Sequence, residues 1–424
     1  MQLEMHCLGE YPEIGSLPKL SKYLGGIVME LKNCTAGYAR LDITPPLGTA
    51  MIGAGPRTVK GVLDPLFVRA VAFGEGEKSA VLLVCDLLGM YGKFGHQWHG
   101  KIAEELGLEK ESVILCCTHT HTGPSPAADK QYFKLLYDRL CDAARMALDD
   151  RKPVTDVRWA EGDAPKGTAQ VRRYVMTDGA IKTHPTSCDP EIIRHVSDGD
   201  NSMRVVQILR EGGEEIDLVN FQTHPDNVGG EYISADYPGM LCKRIEAERE
   251  NVRCVFLDGA EGQLVRNDKL NPFVPKSLEN TAAYADIITD TALPLFNETV
   301  STEMSGLQFA QKTIEPKSAA EGTKGYDDKY PDVRPLIIST LVFCGLALVG
   351  IPGEPYYEMG MHIRGYSKFP VTCIICQANG AHGYYPMLAD FGHPGGSYEP
   401  NVTHVAPGTA EQIMVTAEEM LRSF

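Results

Sequence analysis

The chain has 424 residues, of which 43% are hydrophobic and 23% charged, the balance of a globular protein with a sizeable core. A formal net charge of −16 and the lack of any Lys/Arg cluster weigh against a nucleic-acid partner. No apolar run approaches the roughly 18 residues of a membrane span, so none is expected.

The N-terminus carries no basic segment followed by an apolar run, which reads as no secretory signal and a cytoplasmic location. Twelve cysteines are scattered, several inside apolar runs (Cys85, Cys116, Cys117, Cys254, Cys344), as reduced core thiols would be. Cys373 and Cys376 form a C-x-x-C within an apolar run and have no second pair. Core packing is therefore expected there rather than zinc or redox chemistry.

Residues 1–33 have weak periodicity and read as an N-terminal extension; a single catalytic-size domain is expected over 34–424. Thr35–Pro46 reads as a strand ending in a double proline. Leu63–Phe73 and Ser79–Leu88 read as strands joined by a polar turn. The nearly all-apolar Ala80–Cys85 suits a strand covered on both faces, and Asp86 at its end reads as a cap or supporting carboxylate. Lys101–Leu106 is predicted helical, Ser112–Cys117 a buried strand, and Lys130–Leu148 an amphipathic helix. Arg151–Asp198 looks irregular. Its Arg172-Arg173 pair fits either an anion or carbonyl contact or a solvated charged face.

Met203–Leu209 and Ile216–Gln222 flank Glu211–Glu214 as a hairpin, the second strand running into Thr223-His224-Pro225. Asp236–Glu250 reads as a helix, Val252–Leu257 as a buried strand ending at Asp258 and Glu261, and Asn280–Leu293 as a helix. Glu315–Arg334 is polar without an apolar period, a loop or flap. Leu341–Ile351 reads as one strand breaking into Pro352-Gly353-Glu354-Pro355, and Val371–Cys376 as a strand leading to Gly383-Tyr384. Thr409–Leu421 is a helix, with Thr409 and Gln412 spaced as a capping box. Strands alternating with helices predict an α/β fold, with mixed sheets and flanking helices in one large domain.

The most informative stretch is Thr118–Pro126, Thr-His-Thr-His-Thr-Gly-Pro-Ser-Pro. If the preceding strand continues through it, His119 and His121 point to the same face. Two same-facing imidazoles at a strand end before Gly-Pro form a candidate metal site. The same pattern recurs: apolar strands end abruptly in Gly/Pro loops bearing His119/His121, His224, Asp258/Glu261, Glu354 and Tyr384. Two histidines, a glutamate and a further oxygen are a zinc-type donor set if these ends converge.

These motifs, in this order, resemble the neutral/alkaline (non-lysosomal) ceramidases. The resemblance rests on Ala36-Gly37 with Asp42-Ile43-Thr44-Pro45, Thr118–Pro124, Thr223-His224-Pro225, Pro352-Gly353-Glu354-Pro355 and Gly383-Tyr384. It implies one Zn2+ per chain held by His119, His224, Glu354 and Tyr384, with His121 as a catalytic histidine and Arg172 as a substrate contact. It also implies hydrolysis of an amide C–N bond by zinc-activated water. The sequence departs from the family at Gly262–Asn267, where Val265 stands in the place of an active-site serine. A second departure is Val171, where an asparagine commonly precedes Arg172. Neither the family's secretory signal nor its C-terminal immunoglobulin-like domain is expected for this chain. The expectation is accordingly a zinc-dependent amidohydrolase acting on a small polar or sugar-derived substrate rather than ceramide. The alternatives are another cleavage at the same metal (ester, glycosidic or elimination) and a non-catalytic metal-holding binding protein.

Overall fold

A computed structural model describes residues 33–53, 55–127, 129–319, 335–393 and 397–424. Eight long strands build the main sheet: Cys34–Asp42 (β1), Phe67–Glu75 (β2), Lys78–Cys85 (β3), Val113–Cys117 (β4), Lys152–Asp163 (β5), Ser202–Arg210 (β6), Glu215–Phe221 (β7) and Val252–Asp258 (β8). They lie in the order β8-β7-β6-β5-β1-β2-β3-β4, and Val300–Ser301 pairs alongside β5 as a ninth. Leu307–Ile314 (β9), Leu336–Phe343 (β10), Leu346–Gly350 (β11) and Val371–Ile375 (β12) form a second sheet in that order. Most pairs are antiparallel, but β3 with β4, β7 with β8, and β11 with β12 run parallel.

The helices are Gly95–Leu106 (α1), Lys130–Asp149 (α2), Asp236–Glu248 (α3), Leu278–Glu298 (α4), Tyr357–Tyr366 (α5), Tyr398–Val402 (α6) and Thr409–Ser423 (α7). Their placement follows from the period of two along each strand. In β3, Ala80, Leu82 and Val84 join a core shared with Leu341, Phe343, Leu346 and Leu348 of the second sheet. The alternate residues Val81, Leu83 and Cys85 pack under α1 and α2, against Trp98, Leu136 and Leu140. The other half of the sheet is covered by α3 and α4, and the outer face of the second sheet by α5 and α7. The result is helices, sheet, sheet, helices, with inner strands covered on both faces and reading as unbroken apolar runs.

Several expectations need correction. Within the stretch read as irregular lies β5, a 12-residue strand. Its buried apolar residues are Val154, Val157 and Ala160, three apart, so the alternation that marks a strand is absent. The single strand read at Leu341–Ile351 is a hairpin, β10 and β11, turning at Cys344-Gly345 with both residues at positive φ. That is the geometry of a two-residue hairpin turn, built here without the Asn-Gly pair that usually announces it. The capping box at Thr409 is not formed: Gly408 occupies the N-cap position and the Thr409 hydroxyl donates to Ala406 O. Asp86 accepts from Phe67 N and pairs with Arg69 at 2.8 Å, a buried ion pair that braces β2 and β3.

Of the expected N-terminal extension only Asn33 is described, and of the expected flap residues 320–334 lie outside the described residues. Among the described residues no helix is long and apolar enough to cross a membrane. The described cysteines are unpaired, and all but Cys188 are buried.

Candidate metal centre

The parallel strands bring the site together at their carboxyl ends, where α/β sheets commonly bind ligands. β4 leads to His119 and His121, β7 to His224, β8 to Glu261, β11 to Glu354, and β12 to Gln377 and Tyr384. The histidine pair, however, is not strand geometry. β4 stops at Cys117, and His119 takes a left-handed backbone (φ 62°), a conformation uncommon for a residue with a side chain. The bend, not a period of two, brings the His119 and His121 rings edge to face with centroids 5.0 Å apart. Thr120 fixes the bend through its hydroxyl, which donates to Ser234 O at 2.7 Å.

The remaining loops are locked to one another. Glu354 and Tyr384 are neighbours on a two-residue parallel ribbon, and Glu354 N donates to Gly383 O at 2.8 Å. At Gly262 a Cβ would lie 2.5 Å from Glu354 O, so only glycine allows the Glu261 loop this close to the Glu354 loop. Asn379, beyond β12, accepts from Leu115 N at 2.8 Å and donates to Ser339 Oγ at 2.9 Å, pinning the second sheet to β4.

All six residues expected at the site come together. Glu354 Oε2 lies 3.6 Å from His119 Nε2 and 3.3 Å from His224 Nε2. Glu261 Oε1 is 4.0 Å from His119 Nε2, while its other oxygen rests against His224 Nδ1. The Tyr384 ring stacks on His224 with centroids 6.4 Å apart. Arg172 donates from Nε to Glu399 at 2.7 Å and from a terminal nitrogen to Gly262 O at 2.9 Å. Its other terminal nitrogen is 3.3 Å from His224 Nε2, and its guanidinium lies 5.1 Å from the Tyr384 ring centroid. His121 Nδ1 faces Asp226 at 3.8 Å.

The donor set fits a divalent cation. His119 Nδ1 faces Leu88 O at 2.7 Å; a carbonyl only accepts, so this nitrogen carries the proton and Nε2 presents its lone pair to the cluster. His224 Nδ1 likewise faces the carbonyls of Glu261 and Leu264, at 3.1 and 3.2 Å. Such carbonyl and carboxylate contacts to the far ring nitrogen are how proteins orient metal-binding histidines. Inside the cluster, His119 Nε2, Glu354 Oε2 and Glu261 Oε1 are buried without a hydrogen-bond partner. Buried polar atoms are rarely left so.

The electrostatics agree. Burial alone would raise Glu354, but His119, His224 and Arg172 outweigh it and hold the carboxyl at about 2. Burial alone would lower His224, yet Glu261 and Glu354 overcome it and hold the imidazole up at about 9. The negative potential that keeps a proton on His224 also favours a divalent cation. Burial pushes His121 down to about 3, which leaves its imidazole neutral at ordinary pH. Burial, reinforced by Glu354, pushes the Tyr384 hydroxyl well up.

The overall architecture has known counterparts. The solved structure of the neutral ceramidase from Pseudomonas aeruginosa superposes with a TM-score of 0.76 at 17% identity, covering 92% of this chain and 74% of that one. The fold is ceramidase-like. A ceramidase structure described as complexed with C2 matches at a TM-score of 0.74 and 17% identity, over 92% of this chain and 75% of that chain. No family model and no curated protein matches the chain. The fold expected from the motifs, mixed sheets with flanking helices in a ceramidase-like domain, is thus borne out.

Glu261 belonged to the converging strand-end pattern of the sequence but was not assigned there as a ligand. Three other contacts escaped the sequence reading. Glu399 and Asp226, which face Arg172 and His121, carried no signal, since each pairing depends on chain crossings far apart in sequence. Gln377 lies 3.1 Å from His119 Nδ1 and was hidden in the run after β12.

Proposed function

We propose that the protein is a zinc-dependent hydrolase that cleaves the amide C–N bond of a small polar or sugar-derived substrate. The observation that carries this reading is the convergence of buried, partnerless donor atoms from His119, Glu354 and Glu261 beside His224. In this reading His119, His224, Glu354 and Tyr384 hold the cation. A zinc ion so bound polarises a carbonyl and makes water nucleophilic near neutral pH.

The chain's own residues supply the rest. His121, neutral and beside the cluster, takes a proton from the attacking water and returns it to the leaving nitrogen, with Asp226 facing its Nδ1. Arg172 keeps its charge, being anchored by Glu399 and Gly262 O, and with the Tyr384 hydroxyl stabilises charge that develops on the carbonyl oxygen. A cavity of about 480 Å³ beside Tyr398 supports a small polar substrate, because Lys182, Thr183, His184, Asp189 and Asn401 line it. Tyr398 packs on Tyr384 with ring centroids 5.8 Å apart, one side chain away from the cluster. Pro185, Tyr398 and Val402 make up the apolar part of the cavity wall, and the remaining lining side chains are polar.

The test is turnover of short N-acyl amides by the zinc-loaded protein, together with His121→Ala. Hydrolysis that disappears in the variant while zinc stays bound is the expected result. Activity on long-chain ceramide equal to that on short polar amides would overturn the substrate class. Retention of metal with no hydrolysis of any amide would overturn the reaction.

A further inference from the structure

A second set of donors lies behind the first, where β8 and β12 end. Asp258, Glu261 and Cys376 bring two carboxylate oxygens and a thiol sulfur within 4.8 Å of one another. All three residues are buried, with exposures of 1%, 0% and 0%. Neither oxygen of Asp258 makes a well-aligned hydrogen bond among the described residues, with only the Cys376 thiol and Gly259 N–H close by, and Glu261 Oε1 is likewise unpartnered while its other oxygen rests against His224 Nδ1. The arrangement is rigid, since Cys376 N donates to Asp258 O at 2.9 Å and ties the two strand ends together. The C-x-x-C of the sequence is therefore not a pair. Cys373 packs in the core between the sheets, whereas Cys376 lies past the end of β12 beside Asp258.

Charge makes the cluster more than a packing detail. Asp258, Glu261 and Glu354 are three buried carboxylates, and Arg172 close by is already held by Glu399 at 2.7 Å. One divalent cation among His119, His224 and Glu354 offsets two of these charges, and burial beside Glu261 raises the third, Asp258, well above the usual carboxylate range, so that it keeps a proton unless a further cation takes its place. A buried carboxylate without a counter-charge is strongly disfavoured in its ionised form. Two carboxylates and a thiolate are donors that zinc accepts.

Building on the metal-centre reading above, we propose that Asp258, Glu261 and Cys376 hold a second divalent cation of the zinc type, with Glu261 shared between the two sites. Binding displaces the protons of the Cys376 thiol and the Asp258 carboxyl to solvent, because the thiolate and the carboxylate are the ligands. The second cation fixes the Glu261 carboxylate, and through it the ring of His224.

Metal content decides the matter, measured on the full chain after zinc loading and removal of free metal, in a Cys7→Ala/Cys188→Ala background. About two zinc ions per chain are expected, falling to about one in both Cys376→Ser and Asp258→Asn. Cobalt loading should give a near-ultraviolet thiolate-to-cobalt charge-transfer band that Cys376→Ser abolishes. About one zinc per chain, unchanged by either substitution, would overturn the second site and leave the first standing. No zinc in the folded protein would overturn the first site and with it this inference. Should Cys376→Ser fail to fold, the cobalt spectrum of the parent decides: the band supports the site, and its absence overturns it.

Discussion

Two buried carboxylates follow parallel strands in this fold, and their fates differ. Asp86, at the end of β3, is fully buried, and its oxygens meet Arg69 and Phe67 N. Glu261, just past β8, is equally buried, but only one of its oxygens is met, by His224 Nδ1; the other has no hydrogen-bond partner, and His119, Glu354 and Asp258 complete its surroundings. Burial and position at a strand end are the same in both. What separates a structural carboxylate from a ligand-seeking one is whether the fold itself supplies the counter-charge. An ion pair closed by the chain braces the sheets, while an open cluster, with more carboxylate charge than the chain balances, could hold a cation.

The sharpest way to break this contrast is to remove a member of the open cluster. His119→Ala and His224→Ala should each reduce amide hydrolysis by about a thousandfold or more, while the metal-free variants melt within a few degrees of the metal-free wild type. Steady-state kinetics paired with thermal unfolding would register both halves. The reverse signature is expected of the closed pair. Asp86→Ala leaves Arg69 buried and uncompensated and should cost about 3–5 kcal/mol in chemical denaturation, with zinc still bound by the folded fraction.

Glu261→Gln sharpens the comparison, since it keeps the shape and removes the charge. Zinc affinity should fall roughly 10- to 100-fold, read by competition with a chelating dye. An unchanged affinity would place Glu261 with Asp86 as a purely structural group.

The smallest effect concerns a third kind of buried polar group, the neutral one. His99 on α1 is fully buried, and burial, aided by Lys110, lowers it to about 4. The unfolded chain, with an ordinary histidine near 6.5, binds more protons than the folded one between those two values. Stability tied to His99 is therefore fully present above about pH 6.5 and is lost as the pH falls towards 4, by on the order of 2 kcal/mol. In His99→Phe, urea denaturation across that range should show a shallower acid slope.

The sequence was most legible where chemistry and pattern coincide. The apolar runs that became β3, β4, β8 and β12 stood out because both faces are buried, and the Gly/Pro breaks after them marked where polar groups could gather. The strand-end pattern grouped His119, His121, His224, Glu354 and Tyr384, while Arg172 joined them only through the family resemblance. The reason offered for the first pair was nevertheless wrong. They meet because His119 bends the chain through a left-handed conformation, which no residue pattern announces at a histidine. β5 was missed because its buried residues fall three apart, and the β10–β11 turn because Cys344-Gly345 does not look like a hairpin turn. Glu399 and Asp226 were missed for a deeper reason. Their roles arise from contacts between distant segments, such as Arg172 with Glu399 across 227 positions, and local pattern carries no trace of those.

The central claim is that the open cluster is a cation site. Calorimetric titration of zinc into chelator-stripped protein, beside Glu354→Ala, tests it most directly. The account predicts saturable, sub-micromolar binding to the wild type and its loss in a variant that remains folded. A well-folded wild type that takes up no zinc would contradict it.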